Sequence, residues 1–235
     1  MKRLAIMQPY FFPYIGYFQL INAVDEFVVY DNIEYTKKGW INRNRVLDNG
    51  TDKLITLPLK KDSDFLSVAD RRLSDNWAMI DSRKMLNLIY NSYHKAPYFD
   101  TVYELVKTCI TSAENNLFNF LHQTILKINN YIGISTPVIL SSSCAINHHL
   151  KAQDKVIELC LNRGAAIYIN AIGGLELYDR ATFADKRIRL NFLKSDPIQY
   201  HQFNNNFVPW LSIIDVLMFN SKEQISAYLN AYTLV

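Results

Sequence analysis

From Asn32 to Val46 the chain carries Lys37, Lys38, Arg43 and Arg45 against Glu34 alone, a window of +3 in a protein whose formal net charge is +3. The rest of the chain therefore sums to zero. Within it, Trp40-Ile41-Asn42-Arg43-Asn44-Arg45-Val46 read at the period of a strand puts Arg43 and Arg45 on one face and Trp40, Asn42 and Asn44 on the other. Guanidinium forks suit phosphate or carboxylate, and two amides beside an indole suit sugar hydroxyls or a base edge. The expected division of labour is Lys38, Arg43 and Arg45 on a pyrophosphate, with Trp40, Asn42 and Asn44 on the sugar or base. The plainer alternative is a solvated hairpin whose arginines pair with Asp or Glu.

Three further places could do chemistry. Gln8 stands where a first buried strand should end, followed by Pro9-Tyr10-Phe11-Phe12-Pro13-Tyr14, and Asp31 should end the next strand on the same edge. Ligands of parallel α/β sheets bind beyond such strand ends, so Gln8 and Asp31 are expected to orient a substrate amine or hydroxyl, with Asp31 also able to deprotonate it. The alternative for Asp31 is a turn with Asn32. Gly173 and Gly174 follow a later strand and would let backbone N–H groups approach an anion or a carbonyl oxygen, with Tyr178 one helical turn on as a third catalytic candidate. Tyr200-His201-Gln202 adds polar groups, with Gln202 assigned to substrate. Asp215, three residues after Ser212, has capping-box spacing and is explained by that role.

Other chemistries lack their residues. The five histidines form no metal-ligand spacing, and His148-His149 is no chelate by itself. Neither a glycine-rich dinucleotide fingerprint nor a P-loop is present, and Ser141-Ser142-Ser143 has no nucleophile-elbow glycines. No cofactor or metal is expected. A net charge of +3 gives no argument for nucleic acid.

The elements that must position these groups alternate. Leu4 to Met7, a helix over Tyr14 to Val24, and Phe27 to Tyr30 predict a βαβ opening. Trp40 to Leu47 and Lys53 to Leu59 flank Asn49-Gly50, a hairpin signal. Trp77 to Tyr93 and Phe99 to Thr111 predict helices, and Phe118, Leu121, Ile125, Ile128 and Ile132 make an apolar helical stripe. A strand over Val138 to Ser141, a helix near Asp154 to Asn162 stopped by Gly164, and strands over Ala165 to Asn170 and Ile188 to Leu193 resume the alternation. Two short helices close the chain, the second capped by Ser221 with Gln224. The expected architecture is one α/β domain over 1–235, a mostly parallel sheet with an added β-hairpin and a helical insertion at about 72–132.

With 235 residues, 49% hydrophobic and 20% charged, the chain is long enough to bury a real core, and seven Gly and seven Pro exclude a linker-rich or collagen-like protein. Three cysteines with no close pair read as reduced thiols. Four apolar residues after Met1-Lys2-Arg3 make no signal-peptide core, and no uncharged apolar run approaches the ~20 residues a bilayer needs. The expected location is the cytoplasm.

Gln8-Pro9, Pro13-Tyr14-Ile15-Gly16-Tyr17, Asp25, Tyr30-Asp31, Lys38 to Asn44, Tyr168 with Tyr178, Tyr200-His201-Gln202, and Leu211 to Asp215 through Phe219-Asn220 together resemble the WbqC-like protein family, nearly end to end. Asp196-Pro197 departs from that pattern, which has His before the Pro, and so removes the histidine expected there. The resemblance implies a place among bacterial O-antigen and other surface-polysaccharide loci, where some members are described as glycine transferases. It carries over no catalytic residues. The expected function is therefore a transferase placing an acyl or aminoacyl group, glycyl among them, on a nucleotide-linked amino sugar. It implies an acyl donor as second substrate and leaves homo-oligomerisation open. Two alternatives are a non-catalytic sugar-nucleotide or glycan-binding subunit, and nucleotidyl transfer, which lacks its paired histidines.

Overall fold

Leu4, Ala5 and Ile6 are apolar on both sides of the chain, as a strand covered on two faces requires. In the computed structural model, which describes residues 1–204 and 206–235, they lie in β1 (Arg3–Met7), a central strand. The chain continues through α1 (Ile15–Asn22), β2 (Glu26–Val29), the hairpin β3 (Arg43–Asp48) and β4 (Thr51–Thr56), and three helices, α2 (Ser82–Tyr93), α3 (Phe99–Ile110) and α4 (Leu117–Ile132). It resumes alternation with β5 (Val138–Leu140), α5 (Ala152–Asn162), β6 (Ile167–Ala171), α6 (Arg180–Asp185) and β7 (Arg189–Ser195). It closes with α7 (Ile213–Phe219), α8 (Lys222–Tyr228) and β8 (Tyr232–Leu234).

The main sheet runs β5-β2-β1-β6-β7-β8, parallel except for β8, which pairs antiparallel with β7. After β1 the chain builds outward through β2 and β5, then crosses back to place β6 on the other side of β1. The strand order thus reverses between β1 and β6, where connecting loops diverge and leave a crevice at the carboxyl ends.

Side-chain alternation sorts the sheet into two cores. Leu4, Ile6, Val28, Tyr168, Leu190 and Phe192 pack with Val156 and Leu159 of α5 and Phe183 of α6. Ala5, Phe27, Val29, Ile169 and Leu193 pack with α1, the helices α2 to α4, and α7. The stripe on α4 buries Phe118, Leu121, Ile125 and Ile128, each contributing about 1.5–3 kcal/mol. Asn116 caps that helix by accepting from the Asn119 amide at 3.0 Å, and Gly133 ends it at φ +79°.

The hairpin turns at Asn49 and Gly50, both at positive φ (49° and 78°), as a two-residue hairpin loop requires. It is held against the loop after β1. The Phe11 amide donates to the Trp40 carbonyl (3.2 Å), and the Ser212 amide donates to the Arg45 carbonyl (2.8 Å). At the amino ends of the strands, Arg163 donates to both oxygens of Glu26 (2.6 and 2.9 Å) and Lys2 adds a third contact at 3.3 Å.

Three expectations need revision. The strand expected from Trp40 starts at Arg43, because residues 37–42 bend before the ladder begins. The helix expected from Trp77 begins as one π-helical turn, Trp77–Asp81, before α2. β8 and α6 were not foreseen; the first is three residues long, and the second starts at the Asp179 side chain, which accepts from the Thr182 amide at 2.9 Å.

Candidate functional site

Two hollows lie side by side at the carboxyl edge, and Met7, Tyr10 and Ala171 face both. The first, about 820 Å³, opens at the β1/β6 reversal. It is the more polar of the two, with Gln8, Asn32, Glu34, His148, His149, Lys151, Lys155, Asn170, Gly173, Gly174 and Tyr178 among apolar side chains such as Ile6, Leu150 and Val156, and Tyr30 beside them. The second, about 290 Å³, is apolar and ringed by Tyr10, Tyr14, Tyr17, Trp40 and Trp210, with Arg45 at its edge.

In the polar hollow, Lys155 of α5 reaches back over the sheet edge. Its Nζ donates to Asn32 Oδ1 at 3.0 Å and stands 5.4 Å from the centre of the Tyr30 ring. Burial lowers its pKa, and the negative charge of Asp31 opposes that shift. Asn32 Nδ2 donates to His148 Nδ1 (3.0 Å), while His148 Nε2 lies 3.0 Å from the Cys144 carbonyl and must donate to it. That fixes a neutral imidazole with its proton on Nε2 and no free lone pair. His149 lines the same hollow and its ring makes no hydrogen bond among the described residues.

Of the glycine pair, Gly174 is required by space, while a Cβ on Gly173 would meet nothing within 4 Å. A Cβ on Gly174 would lie 2.2 Å from Asn170 Nδ2, so the buried Asn170 amide can stand at the end of β6 only because residue 174 has no side chain. Tyr178 packs edge-on against the buried Tyr168, ring centres 5.7 Å apart, and burial raises its pKa.

Seven of the twelve expected site residues line the two hollows: Gln8, Gly173, Gly174 and Tyr178 the polar one, and Trp40, Asn44 and Arg45 the apolar one. Five line neither. Asp31 is buried, with Oδ1 accepting from the Ser142 amide (2.9 Å) and within 2.7 Å of the Ser141 hydroxyl. Burial pushes its pKa up, but the hydrogen bonds from Ser142 and Ser141 outweigh that and hold it below the usual carboxylate value. Such a group anchors the strand end that carries Asn32. Asn42 is spent on the Tyr35 hydroxyl (2.7 Å) and the Leu57 carbonyl (2.9 Å). Arg43 donates to the carbonyls of Gly39 (3.0 Å) and Lys38, and the Lys38 side chain is exposed. Gln202 is buried against Val208 and Asp215.

The hairpin faces also sort differently from a strand-period reading. Because Trp40 precedes the strand, its ring sits with the arginines, 5.9 Å from the Arg43 guanidinium and 5.6 Å from that of Arg45. Asn44 points inward and latches the loop after β1: its Nδ2 donates to the carbonyls of Phe11 (3.0 Å) and Phe12 (2.8 Å), and its Oδ1 accepts from the Arg45 amide (2.8 Å). Phe12 is at φ +40°, a conformation that costs about 1 kcal/mol or more in a non-glycine residue and is held by this latch.

Asp215 does not close the capping box its spacing suggests, since the Ser212 amide donates to the Arg45 carbonyl instead. Ser212 accepts from the Ile214 amide (3.2 Å), whereas the Asp215 carboxyl is fully buried and receives Tyr93 (2.9 Å), Tyr200 (2.6 Å) and Gln202 (2.7 Å). Burial raises its pKa to about 6 against the opposing effect of those three donors. The cluster ties α7 to α2 and to the segment that carries Trp210. Lys155, Asn170 and Trp210 complete the site without having been singled out in the sequence, together with Tyr10 and His149, which were named there but given no substrate role. Asn170 alone had a signal, as the last residue of an apolar run before Gly173-Gly174.

Among the described residues, no group of three or more His, Cys, Asp or Glu side chains could hold a metal ion, and no helix is long and apolar enough to cross a membrane. The model of the WbqC-like protein family matches residues 8–227. The chain is also 30% identical to the uncharacterized protein Rv1507c of Mycobacterium tuberculosis (strain ATCC 25618 / H37Rv) over 233 residues, 97% of this chain and 98% of that protein. No solved structure matches it. With the family model covering residues 8–227 and the similarity to Rv1507c spanning nearly the whole chain, this protein belongs to the WbqC-like protein family.

Proposed function

We propose that this protein is a transferase that binds a nucleotide-linked amino sugar in the polar hollow and acylates its amine, in the assembly of a surface polysaccharide. The observation that carries the reading is the position and chemistry of that hollow. It lies where the strand order reverses, has the volume of a small-molecule site, and combines two lysines, Lys151 and Lys155, with two unspent amides, Gln8 and Asn170. Lys155 pairs with the diphosphate, Asn32 fixing its ammonium. Gln8 and Asn170 bind sugar hydroxyls, and Gly173 and Gly174 let the reacting carbonyl come close to the backbone. The amine nitrogen attacks the acyl carbon, forming the C–N bond as the bond to the donor's leaving group breaks. The leaving group departs with that electron pair, and His149 takes the proton lost by nitrogen.

Thermal melting with a panel of nucleotide amino sugars tests it. Ligand at a hundredfold excess over Kd stabilises by about 2.7 kcal/mol, a rise in Tm of roughly 5–10 °C for a chain this size. Lys155→Met should remove most of that rise. No stabilisation by any member of the panel, or stabilisation indifferent to Lys155→Met, refutes the reading. One observation favours a non-catalytic binding subunit instead: His148 and Asp31 are both fully engaged. Mass spectrometry decides between them, since acylated product forms only if the protein turns over.

A further inference from the structure

We propose that the apolar hollow is the acyl subsite of this transferase, built for a medium-length aliphatic or an aromatic acyl group on a phosphorylated carrier, with Arg45 pairing the carrier's phosphate. The inference rests on the acyl-transfer reading above and specifies its donor.

Its floor is the buried trio Tyr17, Leu20 and Leu193, and its walls are the rings of Tyr10, Tyr14, Trp40 and Trp210. Space at the back depends on Gly16, where a Cβ would lie 2.7 Å from Ser195 Oγ and 3.2 Å from the Tyr14 ring. Hydrogen-bonding capacity is scarce: the Asn44 amide is wholly spent on Phe11, Phe12 and Arg45. A nucleobase or sugar lodged there would leave most of its polar edge unpaired, whereas an alkyl chain or aryl ring loses nothing. A glycyl or acetyl group would leave the hollow nearly empty.

The mouth is apolar at a cost. Trp210 is 54% exposed and held at φ +61°, with its ring 5.1 Å from Tyr14, and Trp40 is 41% exposed beside Arg45. Neither indole is placed there by core burial. Arg45 is the one cation lining this hollow among the described residues. Its pairing with Asp52 is long, 3.3 Å, and its side chain is 35% exposed, so the guanidinium is open to an anion at the mouth. Because Met7, Tyr10 and Ala171 face both hollows, a carbonyl at that junction meets the amine held on the polar side. For a thioester donor, the C–N bond forms, the C–S bond breaks, and the thiolate leaves with the electron pair and is protonated by water.

The test is intrinsic tryptophan fluorescence, since Trp40 and Trp210 stand at the mouth and Trp77 is buried elsewhere. The full chain is titrated with acetyl-, hexanoyl- and benzoyl-pantetheine 4′-phosphate, and with UMP, without amino sugar. Hexanoyl and benzoyl forms should bind at least about tenfold more tightly than acetyl. Trp210→Gly, which suits the left-handed backbone, should shrink that preference, and Arg45→Gln should weaken all three carriers about tenfold while leaving the preference intact. Equal binding of acetyl and hexanoyl carriers, or competition by UMP for the same signal, overturns the inference. The wild-type series needs no variant to fold. Nucleotide-sugar melting sensitive to Lys155→Met is read separately, so loss of either result leaves the other standing.

Discussion

Replacing Asp215 by Asn should alter how stability depends on pH. The carboxyl is fully buried at the start of α7 and has a folded pKa of about 6 against an ordinary 3.8. Below pH 3.8 both folded and unfolded chains hold this proton and its contribution to stability is complete. As pH rises, the unfolded chain gives up the proton while the folded chain keeps it, so stability is lost until pH passes about 6. Roughly two pH units at about 1.4 kcal/mol each amount to a loss near 3 kcal/mol. Other carboxylates titrate the opposite way, because Asp25, Glu26, Asp31 and Asp48 are all held below their usual values. They are common to both proteins and cancel in the difference. Urea unfolding of wild type and Asp215→Asn at half-unit steps from pH 4 to 7 isolates the Asp215 contribution. The advantage of wild type over the variant should shrink by about 3 kcal/mol as pH rises. A flat difference, or one that grows with pH, would show that Tyr93, Tyr200 and Gln202 outweigh burial, and would refute the reasoning.

Asn44→Ala removes two donors from the Phe11 and Phe12 carbonyls and should destabilise by about 1–3 kcal/mol per group left unpaired, read as a lowered urea midpoint. Gly174→Ala should push the Asn170 amide out of place and abolish nucleotide-sugar stabilisation, measured by melting, with little change in the ligand-free Tm. Glu26→Gln should cost about 2–3 kcal/mol at pH 7, since Arg163 and then Lys2 lower the Glu26 pKa against the effect of burial. That stability is present above pH 4.5 and lost as pH falls, so variant and wild type should converge in acid unfolding.

Local signals carried the fold further than the site. Apolar runs at Leu4 to Met7 and Phe27 to Tyr30, the Asn49-Gly50 turn and the α4 stripe each depend on near neighbours, and each became the expected element. β8 escaped because three residues at a sheet edge have no period to read. The asparagines misled for a physical reason. Asn44 is buried because two carbonyls 32 and 33 residues earlier need donors, and nothing near Asn44 reveals them. Asp215 is the same case: its spacing from Ser212 suggests a capping box that does not form, while its partner Tyr93 is 122 residues away. Lys155 was invisible as a site residue because it belongs to an ordinary amphipathic helix, and only the crossover from β5 to β6 brings it beside Asn32.

Tyr10, with Met7 and Ala171, is a party wall between two chambers. A guest in either room presses on a surface that the other room also uses, so occupancy of one bears on the shape of its neighbour. If the proposed acyl transfer uses one chamber for each substrate, both guests are home at once and the reaction goes through a ternary complex. Initial-rate plots against the two substrates should accordingly intersect, where a ping-pong enzyme would draw parallel lines.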